Sequence, residues 1–488
     1  MLAKHNIKQT FVILIFALFQ FVGFSATAEN SCVRVFEQSS RKQSSKNVSD
    51  STEEYLRTTL FSLEKMRGEN GLVKDAVILR RSPSGKVRVE TLNPDTSPTN
   101  IAVDLLIQIE LIQRDPKNSA TFFSTLNQIV ETLENVPHHQ QTGLFYSRYT
   151  TETRTQVADR NVSSIDNLHL ALALWTLKET VTTTSLSQRA EGLLNRMDFS
   201  AYYDPASGLI GGNLRYANKV WIRESYNFAN LGSEARALYI LGPALGLFRK
   251  LKTDEAFFRR ALSALKIEMV GAGDVAALRL WDGAAFQLFF PKIFINEELY
   301  SPRFRQMFVR AGDLMVEEGQ RRGLATPAAH SPSFVFNEST SSSLSEFRYK
   351  DKTGNLVVVS TDARDKHDAT LAMEWESTFT PYALFMAATA NPSRILPFFH
   401  GIESLGSGNS KLYDRVFGWM DAYHLEGNYT NQAVPVQLAL NQGMIALSLL
   451  QIGSVDGLSP SGRALWRNAE VRTTLAMFYQ WLDQKLAE

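Results

Sequence analysis

The sequence predicts an all-α protein: an (α/α)6 toroid of six helical hairpins, with a β-hairpin-containing insertion near residues 323–379. Three observations lead there. First, one small loop signature recurs as Asn70-Gly71-Leu72-Val73, Thr142-Gly143-Leu144-Phe145 and Ser207-Gly208-Leu209-Ile210, its glycines 72 and 65 residues apart, and Gly271-Ala272-Gly273 falls 65 beyond Gly208. Such spacing is that of a repeat whose units, two helices each, bury together what one cannot bury alone. Second, the helices of each hairpin differ in character. The first is apolar on most faces, as in Ile101-Ala102-Val103-Asp104-Leu105-Leu106-Ile107, and the second carries a charged stripe, as in Arg189-Ala190-Glu191-Gly192-Leu193-Leu194-Asn195-Arg196. Buried helices ringed by amphipathic ones follow from that pattern. Third, an open solenoid would need polar capping repeats, and the last helix, 471–486, is not distinctly polar.

Taken in order, Lys4 and Lys8 precede an apolar run from Phe11 to Phe24, and Ala26-Thr27-Ala28 supplies the small residues of a cleavage site. Residues 1–28 therefore read as a secretory signal peptide, a retained anchor being the alternative. The run is short for a membrane span, so no stable insertion is expected once the signal is removed. A periplasmic or secreted location follows. Cys32 is the single cysteine, which leaves no disulfide within the chain, and it reads as an idle thiol. Residues 29–50, with Ser39-Ser40-Arg41-Lys42-Gln43-Ser44-Ser45-Lys46, have the composition of a solvated linker. The toroid domain occupies 51–488. It opens with a helix over about 52–68, and six hairpins begin near Thr99, Ser164, Ser233, Asp282, Thr380 and Asn431. Between 323 and 359 the helical period stops; Phe347-Arg348-Tyr349 and Leu356-Val357-Val358-Val359 flank Asp351-Lys352-Thr353-Gly354 as a hairpin in a loop that could cover a site.

Composition excludes several partners. With 51 basic and 50 acidic side chains there is no broad field to gather nucleic acid or an anionic membrane. No metal, calcium-loop or phosphate-loop pattern occurs, so no cofactor is expected. His138-His139 lacks a third ligand at metal spacing, and no nucleophilic triad motif is present.

The buried helices open with polar residues: Ser163-Ser164-Ile165-Asp166, Gly232-Ser233-Glu234, Trp281-Asp282-Gly283, Thr380-Pro381 and Asn431-Gln432. Capping the first turn accounts for such residues one at a time, and for Asp282 entirely. Asp166 and Glu234, however, fall in the first turns of consecutive inner helices, which a ring would turn toward one cavity. Two carboxylates facing a cavity are what glycoside hydrolysis uses, one donating a proton to the leaving oxygen and the other activating water or attacking carbon. Aromatic residues collect in the same loops: Tyr146, Tyr149, Trp221, Tyr226, Trp281, Trp375, Trp419, Tyr423 and Tyr429, beside Arg223, His424 and Asn428. Each alone could be core, but together they suit sugar rings. His367-Asp368 and Glu374-Trp375-Glu376 are more readily a solvated loop than part of the site.

These blocks resemble a known group. Asn161 to Asp166, Ser233 to Gly242, Trp281 to Gln287, Phe417-Gly418-Trp419-Met420-Asp421-Ala422-Tyr423 and Asn441-Gln442-Gly443-Met444 are similar, in that order, to the blocks of the bacterial glucoamylase-like family. The resemblance runs from about Ser51 to the C-terminus. It implies an (α/α)6 fold and an activity like that of inverting endo-β-1,2-glucanases or of domains acting in cyclic β-1,2-glucan synthesis. By position it implies Asp166 and Glu234 as the catalytic acids, with Asp421 and Gln442 in the pocket; Asp282 and Gln287 are further candidate substrate contacts. One departure bears on chemistry: where many members read Phe-Glu-Tyr-Leu-Met-Pro, this chain reads Phe286-Gln287-Leu288-Phe289-Phe290-Pro291, an amide in place of an acid. The region after Gly323 departs too, although Asn337-Glu338-Ser339 is weakly similar. The expectation is an exported glycoside hydrolase on a β-glucan, with an oligosaccharide or polysaccharide as partner. A glycan-binding protein that has lost catalysis, and a polysaccharide lyase on a similar toroid, are the alternatives; the acidic caps disfavour the lyase, whose site must neutralise uronates.

Overall fold

The computed structural model describes residues 48–487 except 83, 85, 182–183, 268, 271–276, 279, 281–284, 322–326, 328–347, 351–355, 359–377, 407–410 and 425–431. The leader, Cys32 and most of the linker, the loop at Gly271, Trp281, Asp282, Trp375, His367-Asp368, Asn428 and Tyr429 thus lie outside the described residues.

Helices dominate. In chain order they are α1 (Val48–Met66), α2 (Pro98–Arg114), α3 (Ser119–Asn135), α4 (Ser164–Thr180), α5 (Thr184–Leu194), α6 (Arg236–Ala244), α7 (Glu255–Ala264), α8 (Ala285–Ile295), α9 (Pro302–Arg321), α10 (Pro381–Ala388), α11 (Ala439–Ile452), α12 (Pro460–Arg467) and α13 (Ala469–Lys485). The two expected characters are both present. Thirteen residues of α2 and twelve of α4 are buried, in unbroken runs that include Ile101 to Glu110 and Asn167 to Leu177. By contrast α3 buries only Phe122, Leu126, Ile129, Val130 and Leu133, one stripe at helical spacing.

The apolar helices touch in chain order: α2 packs on α4, α4 on α6, α8 on α10 and α10 on α11, and α11 returns to α2. Between α6 and α8 the link is polar. Arg236 donates to the carbonyls of Gln287 at 2.7 Å and Leu288 at 2.5 Å. Outside them α3 covers α2, α5 covers α4, α13 covers α6 and α1 covers α11.

The signature loops explain their own sequence. Gly71, Gly143 and Gly208 have φ of 82°, 66° and 77°, a conformation that side-chain-bearing residues rarely adopt. The residue before each glycine folds its side chain back to accept the N–H two positions on: Asn70 from Leu72 at 3.1 Å, Thr142 from Leu144 at 3.4 Å, Ser207 from Leu209 at 3.3 Å. Leu72, Val73, Leu144, Phe145 and Ile210 then enter the core. At Gly143 a Cβ would also collide with the Arg196 carbonyl oxygen. Replacing Gly143 by Ala should therefore cost more than about 2 kcal/mol, read as a lowered urea midpoint with an unchanged slope.

Three expectations need correction. The sixth buried helix starts at Ala439 rather than near Asn431, because Gln432–Ala433 and Gln437–Leu438 are strands whose partners, Tyr423–His424 and Ala76–Val77, draw the chain extended. Among the described residues behind α10 there is no long amphipathic helix but a run of short turns, Pro392–Ile395, the 3-10 turn Leu396–Phe398 and Phe399–Ile402, opened by Pro392 and tightened at Pro397. Short antiparallel hairpins also precede the buried helices, the largest pairing Ala76–Arg81 with Val87–Asn93 and Asn213–Ala217 with Val220–Arg223. In the insertion, Arg348–Lys350 and Leu356–Val358 do pair antiparallel, as their alternation predicts.

Candidate active site

Asp166 is the third residue of α4, and the capping work there is done by its neighbour. Ser163 Oγ accepts the Asp166 N–H at 3.2 Å, so the Asp166 carboxylate is not used as a cap. It receives instead the hydroxyl proton of Thr99, from the first turn of α2. The same hydroxyl lies 3.2 Å from Nδ1 of His169, one turn further along α4. His169 is buried against Phe290 and Phe294, and burial pushes its imidazole down from the ordinary 6.5 to about 3. Tyr202 completes the surroundings: its hydroxyl donates to the Val162 carbonyl at 2.8 Å, and burial, then Tyr226 and Asp166, push its phenol well above the usual range.

Glu234 lies in the turn just ahead of α6 rather than in its first turn, since the helix begins at Arg236 after Ala235. The acid is half-buried. Ser233 donates to its Oε2 at 3.1 Å, and its backbone N–H donates to Gln287 Oε1 at 2.9 Å. Gln287, the third residue of α8, is thereby joined to one of the expected acids through its side-chain oxygen. Below this junction Arg236 is wholly buried, paired with Glu297 at 2.9 and 2.6 Å and held on the Ser233, Gln287 and Leu288 carbonyls.

A single strand ties the two acid-bearing helix ends. Ser164, first residue of α4, donates its N–H to the Gly212 carbonyl and its hydroxyl to the Gly211 carbonyl, both at 2.8 Å. Ile210 N–H, at the other end of this strand, donates to the Tyr239 hydroxyl on α6 at 2.9 Å. Tyr226, 46% exposed, lies against Gly212 so closely that a Cβ there would strike its ring. An open aromatic face therefore borders the start of α4. Arg223 braces this loop, donating to the Tyr202 carbonyl at 3.1 Å and Asn227 at 3.2 Å. Trp221 is half-buried between Tyr146, stacked at 6.0 Å and 14°, and the edge of His139 at 4.4 Å. His139 is buried, its Nδ1 bonded to Thr142 at 2.7 Å in the second signature loop.

On the far side, Asp421 is buried and accepts from Asn441 on α11. Gln442, the next residue, donates to the Trp419 carbonyl at 2.7 Å and is also buried. Asp75 continues the series by joining α11 to α2: its carbonyl accepts from Ala439 N–H at 2.9 Å and its carboxylate from Asn100 at 2.8 Å. Trp419 itself is a correction. It is 0% exposed, enclosed by Tyr55, Phe385, Phe399 and Tyr413, because its two-residue strand turns the indole inward; it is core rather than a sugar platform. Tyr423 is buried too, and its phenol oxygen accepts from the Gly406 backbone.

Thr99, His169, Tyr202, Asp75 and Asn100 join the site from structure alone. Thr99 and Asn100 carry the one sequence signal that was available, a polar pair opening an otherwise apolar helix. A cavity of about 330 Å³ lined by Glu69, Asn70, Gln128, Glu131 and Thr132 sits at the first signature loop and contains none of these residues. Among the described residues no group of three or more His, Cys, Asp or Glu side chains is placed to hold a metal ion, and no helix is long and apolar enough to cross a membrane.

Burial of neutral His169 makes stability depend on pH. Its folded value lies below the unfolded one, so the unfolded chain binds the extra proton and stability falls as pH drops from about 6.5 toward 3, by up to about 4 kcal/mol. His169→Phe, which keeps the packing on Phe290 and Phe294, should flatten that slope in urea titrations repeated across the window.

Comparison with known proteins bears on the fold. No protein-family model and no curated protein sequence matches the chain. Solved structures do. An endo-β-1,2-glucanase from Talaromyces funiculosus, seen with sophorose, superposes with a TM-score of 0.67 at 11% identity over 90% of each chain. One from Chitinophaga pinensis, in complex with sophorotriose and glucose, gives 0.64 at 11% identity, covering 89% of this chain and 98% of that one. A presumptive glucoamylase from Bacteroides fragilis gives 0.64 at 12%, covering 90% and 98%. Across nearly the whole of their lengths, then, this chain has the fold that glucoamylase-like proteins share with endo-β-1,2-glucanases.

Proposed function

We propose that the protein is an exported glycoside hydrolase built as a six-hairpin (α/α)6 toroid, acting on a β-glucan of the β-1,2 type with inversion, and that Asp166 and Glu234 are its paired catalytic carboxylates. The observation that carries this is the carboxylate of Asp166: the helix is capped by Ser163, yet an ionisable group stands at a helix end that is bonded to Gly211 and Gly212, on which Tyr226 packs, and is tied through the same segment to the helix that follows Glu234. Tyr226 offers the sugar face, and Arg223, Trp221, Asp421, Tyr423 and Gln442 shape the loops around it. Trp281, Asp282 and Trp375 are proposed to complete the pocket. The signal at residues 1–28 supports a periplasmic or secreted location, and the linker at 29–50 a separate folded domain from 51. The relatives of known fold that carry sophorose and sophorotriose support the choice of glucan.

Incubation with a panel of polysaccharides, linear β-1,2-glucan among them, should release reducing ends from the β-1,2 polymer, and proton NMR of the first products should show the inverted anomer. Release from α-glucans alone, or products absorbing in the ultraviolet as a lyase would make, would overturn the reading. Gln287 favours a second reading, a glycan-binding protein without turnover, because an amide occupies the position bonded to the Glu234 backbone. Oligosaccharide binding by calorimetry with no product after prolonged incubation would select it.

A further inference from the structure

We propose that Thr99 and His169 are positioning residues for Asp166: a two-link chain of hydrogen-bond donors, imidazole to hydroxyl to carboxylate, that presents this acid in its ionised form and makes it the proton acceptor of the pair. The assignment to a catalytic base rests on the glycoside hydrolase reading above; the chain itself does not.

The direction of the chain follows from counting protons. Thr99 has one, and the geometry sends it to Asp166 Oδ1. Its oxygen then has only lone pairs to offer His169, 3.2 Å away, so that contact is a bond only if Nδ1 carries hydrogen. The rest of the imidazole agrees. Nε2 is buried among the described residues without a hydrogen-bonding partner, and the ring is flanked by Phe290 at 4.8 Å and Phe294 at 5.0 Å. A bare nitrogen lone pair is the cheaper group to leave there, because an orphaned buried N–H is the rarer and costlier defect. Both ends of the ring therefore select neutral imidazole with hydrogen on Nδ1. Such a chain ends with the acceptor oxygen of Asp166 turned to the Thr99 hydroxyl. Among the described residues the Tyr202 phenol also faces Asp166, its proton committed to the Val162 carbonyl. Glu234, in the turn ahead of α6, is left as the proton donor.

The tautomer can be read without substrate. Full-length protein labelled with [15N]histidine should show, for the resonance missing from the His169→Asn spectrum, the long-range proton–nitrogen pattern of the Nδ1–H form at neutral pH. The pattern of the Nε2–H form, or of a doubly protonated ring, would overturn the chain whatever the activity. With glucan turnover in hand, Thr99→Val should move the acid limb of kcat/KM upward by about one pH unit, since one bond to a charged acceptor is lost. Thr99→Ser should restore it. His169→Phe should move the limb the same way by less, and His169→Asn, whose amide can donate from the Nδ1 position, should return it. A lowered kcat with an unmoved limb in Thr99→Val would mark a purely structural role and overturn the proposal. Absence of turnover on every glucan, with the Nδ1–H form present, would instead overturn the hydrolase reading and leave the chain standing.

Discussion

Asp166→Asn and Glu234→Gln should each lower kcat on linear β-1,2-glucan by about 10²–10⁴-fold while leaving oligosaccharide affinity within a few-fold of the original. The structure makes these clean substitutions. Asn at 166 keeps an oxygen for the Thr99 proton, and the cap on α4 belongs to Ser163, so neither the helix nor the neighbouring contact depends on the charge. At 234 the backbone N–H that meets Gln287 is untouched by the substitution. Calorimetry for binding, reducing-end release for turnover and thermal melts for folding separate the effects. Full activity in both variants would remove these residues from the chemistry, and loss of binding along with turnover would make them contacts to the sugar instead.

The largest effect on stability should come from Arg236→Met, at about 3–5 kcal/mol. Arg236 and Glu297 are both 0% exposed, and Tyr479 donates to the same Glu297 oxygen at 2.8 Å. Removing the guanidinium leaves a carboxylate in the interior with one neutral donor. Methionine fills comparable volume, so packing changes little and charge decides the outcome. Adding Glu297→Gln should recover part of the loss, because the stranded charge disappears. Arg236→Lys should not, since one ammonium cannot span Glu297 and the carbonyls of Ser233, Gln287 and Leu288 together. Urea titration reads all three. Because these same bonds seat Gln287 beneath Glu234, kcat should fall in Arg236→Lys by more than stability alone accounts for.

Much of this fold is legible in the sequence because burial on all faces leaves a plain trace. Runs such as Leu168 to Leu177 admit little besides an inner helix, and the glycines at 71, 143 and 208 mark backbone that only glycine adopts easily. The strands left almost no trace. Pairs as short as Ile210–Gly211 or Gly418–Trp419 carry no alternation to detect, and their partners lie on other loops. The same limit applies to the site. Asp166 and Glu234 stand out as acids opening apolar helices, but the partner of Asp166 sits 67 positions earlier, on a threonine with no charge to betray it. Trp419 shows the reverse error: an aromatic residue in a polar loop suggests a sugar platform, and only its neighbours reveal that it points inward.

The strand at Ile210–Gly212 has a consequence for how this protein could diverge. It grips the start of α4 through carbonyl oxygens, and through its own amide meets Tyr239, so the spacing between two helix ends is recorded chiefly in peptide groups that every amino acid supplies. Gly212 is the exception, held to glycine by the Tyr226 ring that lies where its Cβ would be. Change elsewhere in the sequence could therefore proceed far while these two helix ends keep their distance.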